Sequence, residues 1–209
     1  MKRALLIMAA AAAIFSGGDA EARQTTPGQH LQAGNMQVYG RAKPPLGYLQ
    51  LCQQFPEECT VQRSGAHNME LTRARWQELV EINHQVNAAV IGVTDRELYG
   101  TEEMWTYPNR YGDCEDYVLL KRLMLIRRGW SPESLLITVV WDEKGEGHAI
   151  LTVTTSHGDF ILDNNRNEIL RWQETGYVFE KRQAAFGAGQ WVWLRPDRPG
   201  AMTNVGSTN

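Results

Sequence analysis

The sequence predicts an α+β domain in which two helices precede a meander of antiparallel strands. Apolar residues over 71–91 recur at spacings of three and four, and a second helix starts near Cys114 and ends at Gly129. Helices followed by hairpin-connected strands indicate a helical layer packed on an antiparallel sheet. The β-branched or alternating segments that predict strands are 135–141, 148–155, 160–163, 177–182 and 190–194.

The N-terminus has the pattern of a secretory signal peptide. Two basic residues are followed by an apolar run over 4–15 and by the small-residue cleavage signal Ala20-Glu21-Ala22. We therefore expect residues 1–22 to be removed and the mature chain to begin at Arg23. The alternative is a retained membrane anchor, which the shortness of the run disfavours. After cleavage, no membrane span is expected.

The remaining chain predicts one domain between two flexible ends. Residues 23–44 are rich in Gly, Pro and Gln and predict a flexible lead-in, 45–196 the domain, and 197–209 a flexible tail. The net charge of −3 argues against a nucleic-acid partner, for which a basic face would be expected.

The three cysteines divide into a pair and a single thiol. Cys52 and Cys59 are close in sequence with Pro56 between them, so in an oxidising compartment we expect a local disulfide. Cys114 is then either a free reactive thiol or one half of an intermolecular bridge. The alternative pairing joins Cys114 to one of the other two and leaves a different cysteine free.

Cys114 stands among three carboxylates, those of Asp113, Glu115 and Asp116. Nearby negative charge disfavours a thiolate, so this position suits a nucleophile only if the carboxylates are otherwise engaged, for instance by a bound cation. The other interpretation is structural. Asp113 can cap the helix, and acids in the first turn match the helix dipole.

Thiol catalysis also requires a base and a group that orients it. Among the five histidines, His148 begins a predicted core strand directly after a Gly-rich loop. Asp163 ends the next strand after a short hairpin, so its carboxylate could reach the imidazole. Asp163 could equally belong to an Asx-rich turn over 163–165.

The order of cysteine, histidine and aspartate on helix, strand and strand leads to a family resemblance. Over roughly 45–194 the chain resembles the bacterial transglutaminase-like cysteine proteinases, whose best-known members are the LapG-type periplasmic proteases. The matching segments are Gly112-Asp113-Cys114-Glu115-Asp116-Tyr117, Lys121-Arg122, Gly129-Trp130, Gly145-Glu146-Gly147-His148-Ala149, Gly158-Asp159-Phe160-Ile161-Leu162-Asp163-Asn164 and Gly176-Tyr177. Cys52, Pro56, Cys59, Trp105 and Pro108 extend the similarity upstream.

The resemblance implies a papain-like transglutaminase core with a catalytic triad of Cys114, His148 and Asp163. Cys114 would attack a peptide carbonyl and form a thioester that water resolves, with His148 transferring the proton and Asp163 holding the imidazole. The backbone N–H of Cys114 is expected to donate to the oxyanion. The indole N–H of Trp105 is the predicted second donor.

The resemblance also implies a cofactor and partners. In LapG-type proteins the acids beside the nucleophile bind calcium, which by position assigns Asp113, Glu115 and Asp116 as Ca²⁺ ligands. Such proteins are periplasmic, release biofilm adhesins and are controlled by an inner-membrane cyclic-di-GMP receptor. We therefore expect a periplasmic protease with a surface or exported protein as substrate, an inner-membrane receptor as regulator and no organic cofactor. A transglutaminase, a cell-wall peptide amidase and a non-enzymatic binding module remain alternatives.

Overall fold

The structure, a computed structural model, describes residues 34–60, 68–187 and 189–197. The expected signal peptide over 1–22 lies outside these residues, as does the expected tail beyond Asp197. Within the described ranges, no helix has both the length and the apolar character needed to cross a bilayer.

The centre of the domain is a seven-stranded antiparallel sheet with the strand order β1-β9-β8-β4-β5-β6-β7. A separate pair, β2 and β3, is parallel. The strands are β1 Arg41–Ala42, β2 Ile91–Gly92, β3 Tyr111–Gly112, β4 Leu135–Trp141, β5 Gly147–Thr155, β6 Gly158–Leu162, β7 Leu170–Arg171, β8 Val178–Gln183 and β9 Trp191–Trp193. All five predicted strands are present, with bounds that differ by at most two residues.

In the part of the chain that the structure describes, four α-helices accompany the sheet: α1 Leu46–Gln54, α2 Arg73–Ala89, α3 Asp95–Tyr99 and α4 Cys114–Arg127. The pattern over 71–91 predicted α2, which ends two residues earlier because Ile91 and Gly92 form β2. Helix α1 was not predicted. The observed α+β architecture, with α4 against the antiparallel sheet, confirms the predicted fold class.

Helix α4 is central because it packs against both α2 and β5. Its buried Leu119 and Leu125 share one core with Ala149 and Leu151 of β5. A fully buried leucine contributes roughly 1.5 to 3 kcal/mol to folding. Tyr117 fixes the helix pair at one end, since its hydroxyl donates to the carbonyl of Val90 at 2.7 Å. This packing holds the N-terminus of α4 beside the start of β5.

The segment 34–44 belongs to the domain, which differs from the expected flexible lead-in over 23–44. The N–H of Met36 donates to the carboxylate of Asp159 at 2.8 Å, and that of Tyr39 donates to the carbonyl of Trp193 at 2.9 Å. Strand β1 then pairs with β9. Met36 is buried against the face of the sheet opposite α4, so this segment covers apolar surface that would otherwise be exposed. Its glycines and polar residues hid that role in the sequence.

Cys52 and Cys59 form the expected local disulfide, with their Cα atoms 5.6 Å apart. The bond joins α1 to the short 3₁₀ turn Pro56–Cys59 that follows it. Cys114 is buried and is not part of a disulfide. Cys114 is therefore not paired with Cys52 or Cys59, and both alternative pairings are wrong.

Candidate active site

Cys114 is the first residue of α4 and lies at the floor of a small cleft. The backbone N–H of Ala149 in β5 donates to Sγ at 3.3 Å, which ties the thiol to the strand that carries His148. The thiol itself donates to Oε2 of Glu115 at 3.1 Å. The cleft is also lined by residues 92–94, Glu97, Asp113, Asn164 and Asn165.

His148 and Asp163 form a buried pair where β5 begins and β6 ends. The Nε2 of His148 lies 2.9 Å from Oδ1 of Asp163, and each side chain is only 1% exposed. The other imidazole nitrogen, Nδ1, is buried and has no hydrogen-bond partner among the described residues. With Nε2 committed to Asp163, Nδ1 is the nitrogen that can exchange a proton with a reacting group.

Asp163 is held by more groups than the sequence indicated. The hydroxyl of Tyr177 donates to Oδ2 at 2.6 Å, and the N–H of Asn165 donates to Oδ1 at 3.0 Å. Burial opposes the charge of Asp163, but its hydrogen bond to His148, the charge of that imidazole, and the bonds from Tyr177 and Asn165 together lower its pKa to about 2. Asp163 is therefore a carboxylate at any physiological pH. Tyr177 had entered the sequence analysis only as a point of family similarity.

Helix α4 also contains a buried lysine, Lys121, about two turns after Cys114. The Nζ of Lys121 has no hydrogen-bond acceptor within the described part of the chain and sits 5.9 Å from the centre of the Tyr117 ring. Burial lowers the pKa of the Lys121 ammonium to about 7 from the ordinary 10.5, and the charge of Asp163 offsets only part of this effect. The folded protein thus releases this proton near neutral pH.

Because the pKa of Lys121 is lowered in the folded protein, we expect the free energy of unfolding to depend on pH. Unfolded chain keeps the proton to about pH 10.5, so unfolding takes up a proton between 7 and 10.5 and the free energy of unfolding rises with pH across that window. Between pH 7 and 9 we expect wild type to gain about 2 kcal/mol more than Lys121→Met. Urea unfolding of both proteins at the two pH values measures this difference. Equal pH slopes for the two proteins would contradict it.

Three buried aspartates form a cluster beside the thiol. Asp95, Asp113 and Asp116 each place one carboxylate oxygen within 4.8 Å of the others. In each, one oxygen accepts a backbone N–H, from Met104, Asp95 and Thr106 respectively, while the second is buried with no hydrogen-bond partner among the described residues. Burial raises the pKa of Asp113 to about 7 and that of Asp116 to about 8.

The cluster differs from the predicted ligand set in one residue. Asp113 and Asp116 are members, but Glu115 is replaced by Asp95. Residues three apart at a helix start share a face, as Asp113 and Asp116 do. Glu115 lies beside Asp113, and its Oε2 accepts the hydrogen bond of the thiol. Asp113 is the N-cap residue of α4, as predicted, but its side chain makes no capping hydrogen bond.

Asp95 reaches the cluster through strand pairing. The parallel pairing of β2 with β3 sets the start of α3 beside the start of α4. In the sequence Asp95 is an acid in the first turn of a short helix, where acids are ordinary. Nothing local marked it as a ligand.

The donor set of the cluster fits a hard divalent cation. One carboxylate oxygen of each aspartate lies within 4.8 Å of the other two, and each aspartate has one buried oxygen without a hydrogen-bond partner among the described residues. Uncompensated buried carboxylates are strongly unfavourable without a proton or a metal. Oxygen ligands of this kind suit Ca²⁺, whose shell of six to eight would be completed by carbonyls or water.

The electrostatics of the thiol depend on the same acids. Burial raises the pKa of Cys114 well above its ordinary value, and the negative charges of Glu115 and Asp113 raise it further. Burial and the neighbouring negative charge together therefore favour the protonated thiol. This is the conflict that the sequence indicated, and the structure contains the acids in the geometry that produces it.

Trp105 does not have the geometry of the predicted oxyanion donor. Its indole N–H donates to Oε1 of Glu103 at 2.9 Å, and the buried ring packs edge-on to Tyr48. An indole has a single donor, so this bond occupies it. The structure supports a packing role for Trp105.

Comparison with known proteins identifies the family. The family model of the bacterial transglutaminase-like cysteine proteinases matches residues 38–199, which include the thiol, the His148–Asp163 pair and the three aspartates. The chain belongs to this family. As a member of this family, the protein is a cysteine peptidase whose substrate is a protein, and it has the transglutaminase-like fold.

Solved structures similar to this proteinase include three of LapG from Legionella pneumophila. The calcium-bound form is 23% identical, with a TM-score of 0.49 over 60% of this chain and 72% of that chain. A second LapG structure and an EGTA-treated one are each 22% identical with TM-scores of 0.47 over 57% of this chain, and 68% and 66% of theirs. Among curated protein sequences, none matches the chain significantly.

Proposed function

We propose that this proteinase is a periplasmic endopeptidase that hydrolyses a surface or exported protein through Cys114, His148 and Asp163. The observation that carries the proposal is the His148–Asp163 hydrogen bond beside the thiol. It leaves the buried Nδ1 of His148 unbonded, while the next residue, Ala149, binds Sγ.

The chain's own groups can perform each step of acyl transfer. Asp163 holds the tautomer with hydrogen on Nε2, so Nδ1 of His148 is free to take the thiol proton. The Cys114 thiolate attacks the peptide carbonyl, and His148 returns the proton to the leaving amine. Water then attacks the thioester with His148 again as base. The backbone N–H of Cys114, in the first turn of α4, is the proposed oxyanion donor.

Calcium is the proposed occupant of the aspartate cluster. Asp95, Asp113 and Asp116 would hold it through their three orphaned oxygens. Bound there, the cation would supply positive charge that offsets the carboxylates now raising the pKa of Cys114. Glu115 stays outside this set in our proposal and remains the hydrogen-bond acceptor of the thiol.

The compartment and partners are proposed from the sequence. Residues 1–22 have the pattern of a signal peptide, and the disulfide between Cys52 and Cys59 suits an oxidising compartment. We propose a surface adhesin as the substrate class and an inner-membrane receptor as regulator, following the family resemblance. Cell fractionation with an antibody against the chain tests the location, and recovery in the cytoplasm would contradict it.

The fate of the thioester separates an endopeptidase from a transglutaminase or an amidase. We expect wild type with Ca²⁺ to create new N-termini in a peptide library prepared from a bacterial proteome, and Cys114→Ala to create none. Mass spectrometry counts these termini, and a fluorescent primary amine added to the reaction reports transamidation. Amine incorporation that exceeds hydrolysis would indicate a transglutaminase, and hydrolysis of cell-wall peptides without new termini in the library would indicate an amidase.

A further inference from the structure

We propose that the free edge of β2 at Gly92 binds the backbone of the peptide substrate as an added strand. The inference rests on the proposed endopeptidase function and specifies its substrate as an extended, locally unfolded segment of protein. Gly92 lines the same cleft as Cys114, so a strand seated there lies directly beside the nucleophile.

The hydrogen bonds of β2 show which of its groups are available. The N–H of Ile91 donates to the carbonyl of Arg110 at 2.8 Å, and that of Val93 donates to the carbonyl of Gly112 at 3.1 Å. Because successive residues of a strand direct their backbone groups to opposite edges, the N–H and C=O of Gly92 point away from β3. In the described ranges, β3 is the only strand that pairs with β2.

This edge has the properties of a strand-addition site. Gly92 is exposed, and the polar Asn164 and Asn165 line the same cleft. One donor and one acceptor on a single residue match the N–H and C=O of one residue in an extended peptide. The contact is to backbone, so it selects an extended conformation rather than a particular side chain.

The fold itself does not require glycine at this position. Gly92 has no positive φ, and a Cβ built there would approach only the Tyr117 hydroxyl, at 3.8 Å, an ordinary contact. A glycine within a strand often marks close approach of another backbone. The absence of a side chain at 92 is therefore better explained by what enters the cleft than by what packs around it.

A pair of variants isolates the backbone donor. Proline at 92 removes the N–H but leaves the β2–β3 ladder intact, because that ladder does not use this N–H. Gly92→Ala keeps the donor and is the matched comparison. The probes are an N-acetylated tetrapeptidyl chloromethyl ketone pool with randomised side chains and iodoacetamide, which has no peptide backbone. The measured quantity is the ratio of their rates of Cys114 alkylation.

We expect the ratio to exceed 10 in wild type and to fall about 10-fold in Gly92→Pro, with a much smaller fall in Gly92→Ala. Thermal melting of both variants checks that they are folded. A wild-type ratio near 1, or equal ratios in the two variants, would overturn the proposal. Because alkylation requires no turnover, a selective fall in Gly92→Pro would support this site even if the peptide library yielded no new termini and the endopeptidase function failed.

Discussion

Replacement of Cys114 by alanine is expected to lower peptide-bond cleavage by at least about 10⁴-fold while the protein remains folded. The thiol is the only group proposed to bond to the substrate, so no other side chain can substitute for it. The expected loss of stability is modest, because the change removes the acceptor of the Ala149 N–H and the donor to Glu115, each worth about 1 kcal/mol. Cleavage of the peptide library and the melting temperature are the two measurements.

A second substitution tests whether the thiol acts together with His148. His148→Ala alone should cost about 10³- to 10⁴-fold, and the double variant with Cys114→Ala should be no worse than Cys114→Ala. His84→Ala serves as the control, since His84 is an exposed residue of α2 that does not line the cleft. If the two substitutions lowered cleavage additively, or if Cys114→Ala kept full activity, the thiol and the imidazole would not act together in catalysis.

Removal of calcium is expected to have the second-largest effect. With Ca²⁺ at 100 times its dissociation constant, binding adds about 2.7 kcal/mol to the free energy of unfolding, which corresponds to roughly 5 to 10 °C in melting temperature. A chelator should remove this stabilisation and reduce cleavage about 100-fold, since the uncompensated acids keep the Cys114 thiol protonated. Melting curves with EGTA and with restored Ca²⁺ measure the stability effect without any substrate.

Asp95→Asn should stabilise the calcium-free protein. The amide still accepts the Met104 N–H but removes one of three crowded carboxylates, so at pH 8 the calcium-free variant should melt above calcium-free wild type. The same variant should gain little from added Ca²⁺. Glu70→Gln, an exposed acid outside the cluster, should behave as wild type. A full calcium response in Asp95→Asn would remove Asp95 from the site.

Local sequence patterns anticipated most of the secondary structure because each depends on neighbouring residues. Alternation and β-branching located β4, β5 and β6, and apolar periodicity located α2 and α4. The expectation of a flexible lead-in was wrong for residues 34–44 for the same reason. The order of 34–44 derives from the β1–β9 pairing and from Asp159, which are distant in sequence.

The site was anticipated in part. His148 and Asp163 were proposed from adjacent strands of one hairpin, and the structure joins them by a hydrogen bond. The hydroxyl of Tyr177 comes from outside that hairpin, and no local spacing predicted its bond to Asp163. The donor of Trp105 was assigned by resemblance, but it is taken up by Glu103, two residues away.

By itself the sequence determined the chemistry of this protein: a single thiol at a helix start, an imidazole and a carboxylate on a hairpin, and an excess of acid beside the thiol. Residue type and short-range spacing are sufficient for that. Only the tertiary structure decided that Asp95 rather than Glu115 completes the acidic cluster, and that the edge of Gly92 faces the cleft. Both follow from the pairing of β2 with β3, whose partners are about 20 residues apart and are brought together by packing rather than by any local preference.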